Sequence, residues 1–182
     1  MDKYITILNY DVDVNCLVQI AKQLGDKWEQ SYIMKYNDAD SKLDRVDGLN
    51  HWRQNMQVDK NHWYIRKILD DFELLPNAAA PKFHWLAANS VLETHVDEMT
   101  KCSLNFLLSP DLAPVTFENK YSFNYKQALL NTKAPHGVKN GPRPRLLFRI
   151  SYHDETYDEL SNRIKYRADG RSSSPPYWKK IK

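Results

Sequence analysis

The sequence predicts a mainly-β domain in which helices flank one antiparallel core. Two observations carry this. Beyond Pro81 six short runs rich in β-formers follow one another: FHWLAAN, SVLETHVD, SLNFLLS, APVTFEN, YSFNYKQALLN and RLLFRISY. Turn signals such as Ser109-Pro110-Asp111 and Asn140-Gly141-Pro142 separate them, and no helical pattern intervenes. Short strands so spaced argue for a sandwich, jelly roll or barrel rather than a parallel βαβ sheet. Before Pro76, by contrast, apolar residues recur at helical spacing. The 182 residues suit a single domain. A protein of this size can bury around 70% of its unfolded surface, so its core needs no disulfide.

Taken in order, Tyr4 to Tyr10 (YITILNY) reads as a strand of β-branched and aromatic residues. Asp13 stands at an N-cap position, Leu17, Ile20, Ala21 and Leu24 form one apolar stripe, and Gly25 is the stop signal. Residues 29 to 60 are polar and irregular and read as a loop, with a short helical piece near Leu49 to Met56. Ile65, Ile68, Leu69 and Phe72 mark a second helix that ends before Pro76. Thr156 to Arg167 reads as a C-terminal helix, followed by a solvated basic tail, ADGRSSSPPYWKKIK. Residues 1–182 thus form one domain: helical support and a polar loop over 1–80, the β core over 81–160, and a helix end with its tail over 161–182.

Charge and motif content exclude several classes of function. Lysine plus arginine total 26 and aspartate plus glutamate 23, a net charge of +3. That balance calls for neither a nucleic-acid nor a membrane partner. Cys16 and Cys102 form neither a CxxC motif nor a disulfide framework, as expected of a reducing compartment. Among five glycines there is no GxGxxG, GxxxxGK[ST] or GxSxG. MDKYITILNYD carries an early acid and no h-region, and no apolar run approaches ~20 residues, so a soluble cytoplasmic protein is expected.

Chemistry gathers on two segments. In ETHVDE, His95 and Asp97 stand two apart on an expected strand, which puts imidazole and carboxylate on one face. Alone, HxD is a common chance pattern. His136 follows a turn further on, and Arg145 opens the alternating run RLLFRISY. Leu146, Phe148, Ile150 and Tyr152 form its apolar, helix-covered face, so Arg145 and Arg149 point into the barrel. An inward arginine requires an anion, supplied either by a ligand or by an internal Asp or Glu. Two imidazoles and a carboxylate suit the facial triad of non-haem Fe(II) oxygenases, with zinc as the rival metal. A guanidinium beside such a metal suits a dicarboxylate co-substrate.

From Pro81 to about Leu160 the sequence resembles the 2-oxoglutarate/Fe(II)-dependent oxygenases, nearest to their aspartyl/asparaginyl β-hydroxylase and proline hydroxylase branch. The ordered set HVD, H, R carries the resemblance, within KFHWLAANSVLETHVD, CSLNFLLS and HGVKNGPRPRLLFRISYHDETYDEL. It implies a double-stranded β-helix (jelly-roll) catalytic core and a dioxygenase that uses Fe(II), 2-oxoglutarate and O2 to hydroxylate a C–H bond. The substrate would be an amino acid or a protein side chain. His95, Asp97 and His136 match the metal triad, and Arg145 matches the anchor of the distal carboxylate of 2-oxoglutarate. Arg149 is the alternative anchor, or a contact for a substrate carboxylate. Asn105 falls where that branch has a polar side chain near the co-substrate. His84 replaces a common serine there, leaving a core histidine as the other reading. The resemblance also implies that the segment from His136 to Arg145 crosses between two sheets, whereas Asn140-Gly141 by itself suggests a hairpin. Residues 29–60, with Tyr32, Trp52 and Arg53, are lid material. Other classes remain open: a non-catalytic β-barrel binding module, and a metal hydrolase or cupin, although HExxH and the cupin HxH are absent.

Overall fold

A computed structural model of the protein describes residues 3–25, 27–30, 33–37, 42–46, 52–72, 74, 79–110 and 113–168. The basic tail from residue 169 and the loop residues 38–41 and 47–51 lie outside them, as does Tyr32. The elements run β1 (Ile5–Ile7), α1 (Val14–Gln23), β2 (Glu29–Gln30), β3 (Ile33–Asn37), β4 (Lys42–Val46), β5 (Trp52–Asn55) and α2 (Trp63–Asp71). Then come β6 (Ala79–Leu86), β7 (Val91–His95), β8 (Cys102–Leu107), β9 (Val115–Phe117), β10 (Tyr121–Phe123), β11 (Gln127–Leu130), β12 (His136–Lys139), β13 (Arg145–Tyr152) and α3 (Tyr157–Ala168).

Two antiparallel sheets face each other. The major sheet has the order β1-β11-β8-β13-β6-β5-β2 and the minor sheet β10-β9-β12-β7, while β3 and β4 form a separate hairpin. The backbone therefore crosses from the minor to the major sheet between β12 and β13, and Asn140-Gly141 is not a hairpin turn. Pro142 and Pro144, which lack backbone donors, suit that crossing.

The helices form where local chemistry predicts. Asp13 caps α1 by accepting from the Cys16 backbone N–H at 2.9 Å, and Gly25 just beyond its end adopts φ +57°. Thr156 and Glu159 form a reciprocal capping box on α3: the Glu159 carboxylate accepts from Thr156 N–H at 2.8 Å, and the Thr156 hydroxyl from Glu159 N–H at 3.4 Å. The stripes of α1 (Leu17, Ile20, Ala21) and α2 (Ile65, Ile68, Leu69) pack in one core with Phe83, Leu104, Phe148 and Ile150 from the outer face of the major sheet. A second core of Tyr4, Ile5, Val115, Phe117, Tyr125 and Leu130 joins strands of the two sheets. Period-2 alternation leaves the inward face of the major sheet free for polar side chains.

Residues 29 to 60 depart from the sequence expectation. The stretch read as loop contains β2 to β5, and the piece read as helical near Leu49 to Met56 is the strand Trp52–Asn55 where described. β5 is a strand because it pairs with β6, Trp52 opposite Leu86 and Gln54 opposite His84. A long-range ladder of this kind overrides weak local preference. No helix among the described residues is long and apolar enough to cross a membrane.

Candidate metal centre and anion recess

Register places the two histidines. β12 pairs with β7 so that His136 lies opposite His95, with ring centroids 4.5 Å apart. The register slips between His136 and Val138, and Gly137 sits at the slip. A Cβ there would lie 2.8 Å from the Leu92 carbonyl oxygen and 3.1 Å from the Thr94 nitrogen, both backbone atoms. Only glycine lets β12 approach β7 this closely. Gly137→Ala is expected to push the strands apart at the histidines. Denaturant titration is expected to show a loss of about 1–3 kcal/mol, the usual cost of overpacking. Co(II) absorbance titration of the same variant is expected to show weakened metal binding; unchanged values in both would remove the constraint.

Asp97 arrives differently from the expectation. β7 ends at His95, so the shared strand face does not hold the pair. Instead the Asp97 N–H donates to the Thr132 carbonyl at 3.1 Å, and its Oδ2 accepts from Arg149 Nη2. Oδ1 then faces His95 Nε2 at 3.6 Å. Donor atoms of His95, Asp97 and His136 all lie within 4.8 Å of one another.

Each imidazole is oriented through its other nitrogen. Nδ1 of His95 lies 2.7 Å from the Glu93 carbonyl and Nδ1 of His136 lies 3.0 Å from the Ala134 carbonyl. A carbonyl only accepts, so both Nδ1 atoms carry hydrogen and Nε2 is the nitrogen left for a ligand. Burial, with the neighbouring His95, depresses the pKa of His136 to about 4, so this ring is neutral near pH 7. Burial pushes the Asp97 carboxyl up, but Arg149, the His95 hydrogen bond and His136 together hold it well below the usual range. Neutral imidazole and ionised carboxylate are the protonation states a dication needs.

The shift of His136 gives the protein a pH signature. Between about 6.5 and about 4, this residue binds a proton in the unfolded state and not in the folded state. With metal chelated, stability is therefore expected to fall as pH drops from about 6.5, and this contribution to level off below about 4. The span is about 3 kcal/mol. Denaturant midpoints at pH 7 and pH 4.5 for the native protein and His136→Gln test it: the variant is expected to lose less. Parallel losses would exclude the assignment.

Beneath the triad lies a polar recess lined by Arg145, Tyr125, Asn105, His84 and Ser103. Arg145 is 2% exposed and makes no pair with an internal acid among the described residues. Its Nη1 donates to the Ala113 carbonyl at 2.6 Å and its Nη2 to the Tyr125 hydroxyl at 3.1 Å. Asn105 Nδ2 donates to the same hydroxyl at 3.3 Å. Tyr125 O thus accepts twice, leaving its own proton to donate elsewhere. Trp52 Nε1 donates to His84 Nδ1 at 3.0 Å, so the neutral ring carries its hydrogen on Nε2. Burial first, then Lys82 and Arg149, hold His84 well below its ordinary pKa. His84 Nε2, Ser103 Oγ and Asn105 Oδ1 are buried without a hydrogen-bond partner. Of these, His84 Nε2–H and the Ser103 hydroxyl are donors that an anion beside the guanidinium would satisfy, whereas Asn105 Oδ1 only accepts.

Above the triad a cavity of about 290 Å³ opens, lined by Trp52, Gln54, Lys82, His84, Asp97 and Arg149 among others.

The sequence matches no protein-family model and no curated protein. Solved structures do match. A prolyl hydroxylase from Trichoplax adhaerens, in complex with a hypoxia inducible factor oxygen degradation domain peptide fragment, aligns over 86% of each chain at 12% identity and a TM-score of 0.58. A Pseudomonas putida prolyl-4-hydroxylase aligns over 84% of this chain and 93% of that one, at 9% identity and a TM-score of 0.55. The fold is a double-stranded β-helix, shared with these two hydroxylases. The protein spans 39% of the length of the DMSP lyase DddQ from Ruegeria pomeroyi DSS-3, matching it over 42% of its own residues at 15% identity and a TM-score of 0.37.

Within this double-stranded β-helix the predicted residues separate into two groups. His95, Asp97 and His136 converge on one point, and Arg145, Asn105 and His84 gather in the recess below. Arg149, read as an alternative anchor or substrate contact, pairs with Asp97. Trp52, read as lid material, lines the cavity from strand β5 of the major sheet, and Arg53 lines a separate groove with Val18, Trp28 and Trp85 on the helix side. Sequence reasoning does not single out Tyr125, Ser103 or Lys82. Period-2 alternation marks Ser103 and Lys82 as inward, whereas Tyr125 lies outside any strand and carries no such mark.

Proposed function

We propose that the protein is an Fe(II)- and 2-oxoglutarate-dependent oxygenase that hydroxylates a C–H bond of an amino acid or a protein side chain. One observation carries the reading: two imidazoles and a carboxylate within 4.8 Å of one another on a double-stranded β-helix. His95, Asp97 and His136 would hold the metal through Nε2, Oδ1 and Nε2, a set that leaves open positions in a six-coordinate sphere. Bound Fe(II) supplies the activation of O2 that couples decarboxylation of 2-oxoglutarate to oxidation of the substrate.

The protein's own residues bind and orient. Arg145 would hold the distal carboxylate of 2-oxoglutarate, with the Tyr125 hydroxyl and His84 Nε2–H as further donors. A charge-assisted hydrogen bond in a buried recess is the strong kind, and the aim of these donors is fixed before the ligand arrives. Arg149 holds Oδ2 of Asp97, so that Oδ1 alone faces the metal position. Trp52 stacks over His84 at 5.7 Å between ring centroids, closing one wall against water.

The test is succinate release from 2-oxoglutarate, followed by proton NMR with Fe(II), O2 and panels of free amino acids and short peptides. Succinate accompanied by a hydroxylated product supports the reading. Absence of Fe(II) binding to the native protein, measured anaerobically by calorimetry, overturns it.

A further inference from the structure

We infer that the cavity above the triad receives a carboxylate of the prime substrate, paired with the ammonium group of Lys82. Lys82 lies on the inward face of β6, between Ala80 and His84, which line the same cavity. It stands directly opposite Arg149 in the β6–β13 register. Two cations on neighbouring strands, about 4.8 Å apart, repel unless anions lie between them. Arg149 has its anion in Asp97. Lys82 has none: no acidic side chain among the described residues pairs with it, and Asp97 reaches it only as a more distant charge. Burial first and Arg149 second lower its pKa to about 8, so near pH 7 it is still mainly protonated while partly removed from water. A carboxylate bound against it would supply the missing counter-charge.

The second anion site is separate from the first. Arg145 and Arg149 are four residues apart on β13, which spans roughly 13 Å of strand. Lys82 lies at the level of Arg149, on the cavity side, and Arg145 lies in the recess. The rest of the cavity lining is mixed: Trp52, Met56, Val96 and Met99 are apolar, while Gln54, Glu98, Thr100 and His153 are polar, and Lys82 and Arg149 are its cations. A substrate that sets a carboxylate against Lys82 and an apolar part against Trp52, Met56, Val96 and Met99 fits this lining, as a free amino acid with an apolar side chain or the carboxyl terminus of a peptide would. The inference rests on the oxygenase reading only in taking this cavity as the prime-substrate site.

Two sources of a carboxylate, the prime substrate and 2-oxoglutarate, are separated by one titration. The probes are N-acetylglycine and its uncharged match N-acetylglycinamide. The signal is the ε-methylene NMR resonance of Lys82 in the full-length protein, assigned by its loss in Lys82→Met. N-acetylglycine is expected to shift this resonance saturably and the amide to leave it unmoved. Protein loaded with Zn(II) and saturating 2-oxoglutarate is expected to give the same shift. Lys82→Met is expected to weaken N-acetylglycine binding about tenfold or more, as loss of a charge-assisted hydrogen bond would. Lys82→Gln serves if Lys82→Met fails to fold. No saturable shift, or an equal shift with the amide, overturns the proposal. So does displacement of the probe by 2-oxoglutarate, which would give Lys82 to the co-substrate. Zn(II) binding is measured in the same samples by calorimetry: its absence would count against the metal centre, while the Lys82 titration without metal stands by itself.

Discussion

His136→Ala is expected to abolish metal-dependent turnover while the protein remains folded. The side chain faces the triad, not packed core: its ring neighbours are His95 at 4.5 Å and Phe117 at 5.9 Å. Removing one of three ligands is expected to weaken Co(II) or Zn(II) binding by more than about a hundredfold, since loss of a mere outer-shell partner already costs ten- to a hundredfold. The cost in folding free energy is expected to stay within about 2 kcal/mol, because a buried polar ring that gives up part of its hydration is lost along with its packing. Calorimetric metal titration and urea denaturation of the same sample measure both. An unfolded variant would make His136 a structural residue and remove the carrying observation for catalysis.

Arg145→Met is expected to have the next largest effect, and to affect a different ligand. A diacid in the recess loses its ionic anchor, a loss of about 2–5 kcal/mol for a buried charged pair. The dissociation constant for 2-oxoglutarate would then rise by about thirtyfold to several thousandfold. Metal affinity is expected to hold, since the guanidinium touches Ala113 and Tyr125 and none of the triad. Those two groups lose their donor, so a stability loss of about 1–3 kcal/mol accompanies the change. Calorimetric titration of 2-oxoglutarate into Zn(II)-loaded variant, well below its unfolding midpoint, separates the two effects. Arg149→Met is the contrasting control. It frees Asp97 Oδ2 and is expected to weaken metal binding more than 2-oxoglutarate binding. The opposite pattern in the two variants would exchange the roles of the arginines.

Much of this is legible in the sequence. Apolar stripes located α1 and α2, and the Asp13 cap located the start of α1, because i, i+3, i+4 spacing and a capping side chain act within one or two turns. Alternation along Arg145–Tyr152 put both arginines inside, because neighbouring strand residues point to opposite faces whatever the strand pairs with. The stretch from Glu29 to Asn55 was not legible. Its polar residues carry no strong periodicity, and β5 gains its conformation from pairing with β6 far along the sequence.

The candidate site divides along the same line. The ordered spacing of His95, Asp97, His136 and Arg145 named the side chains that matter, since residue type and inward phase are local properties. Tertiary structure alone decided how they meet. His136 opposes His95 through a slipped register that Gly137 permits. Asp97 is aimed by Thr132 and Arg149 rather than by its strand. Lys82 has no acidic partner among the described residues, and its neighbour across the sheet is a second cation already matched. Each of these depends on which residue stands opposite which on another strand, and a one-residue slip reverses every such pairing without altering the local pattern.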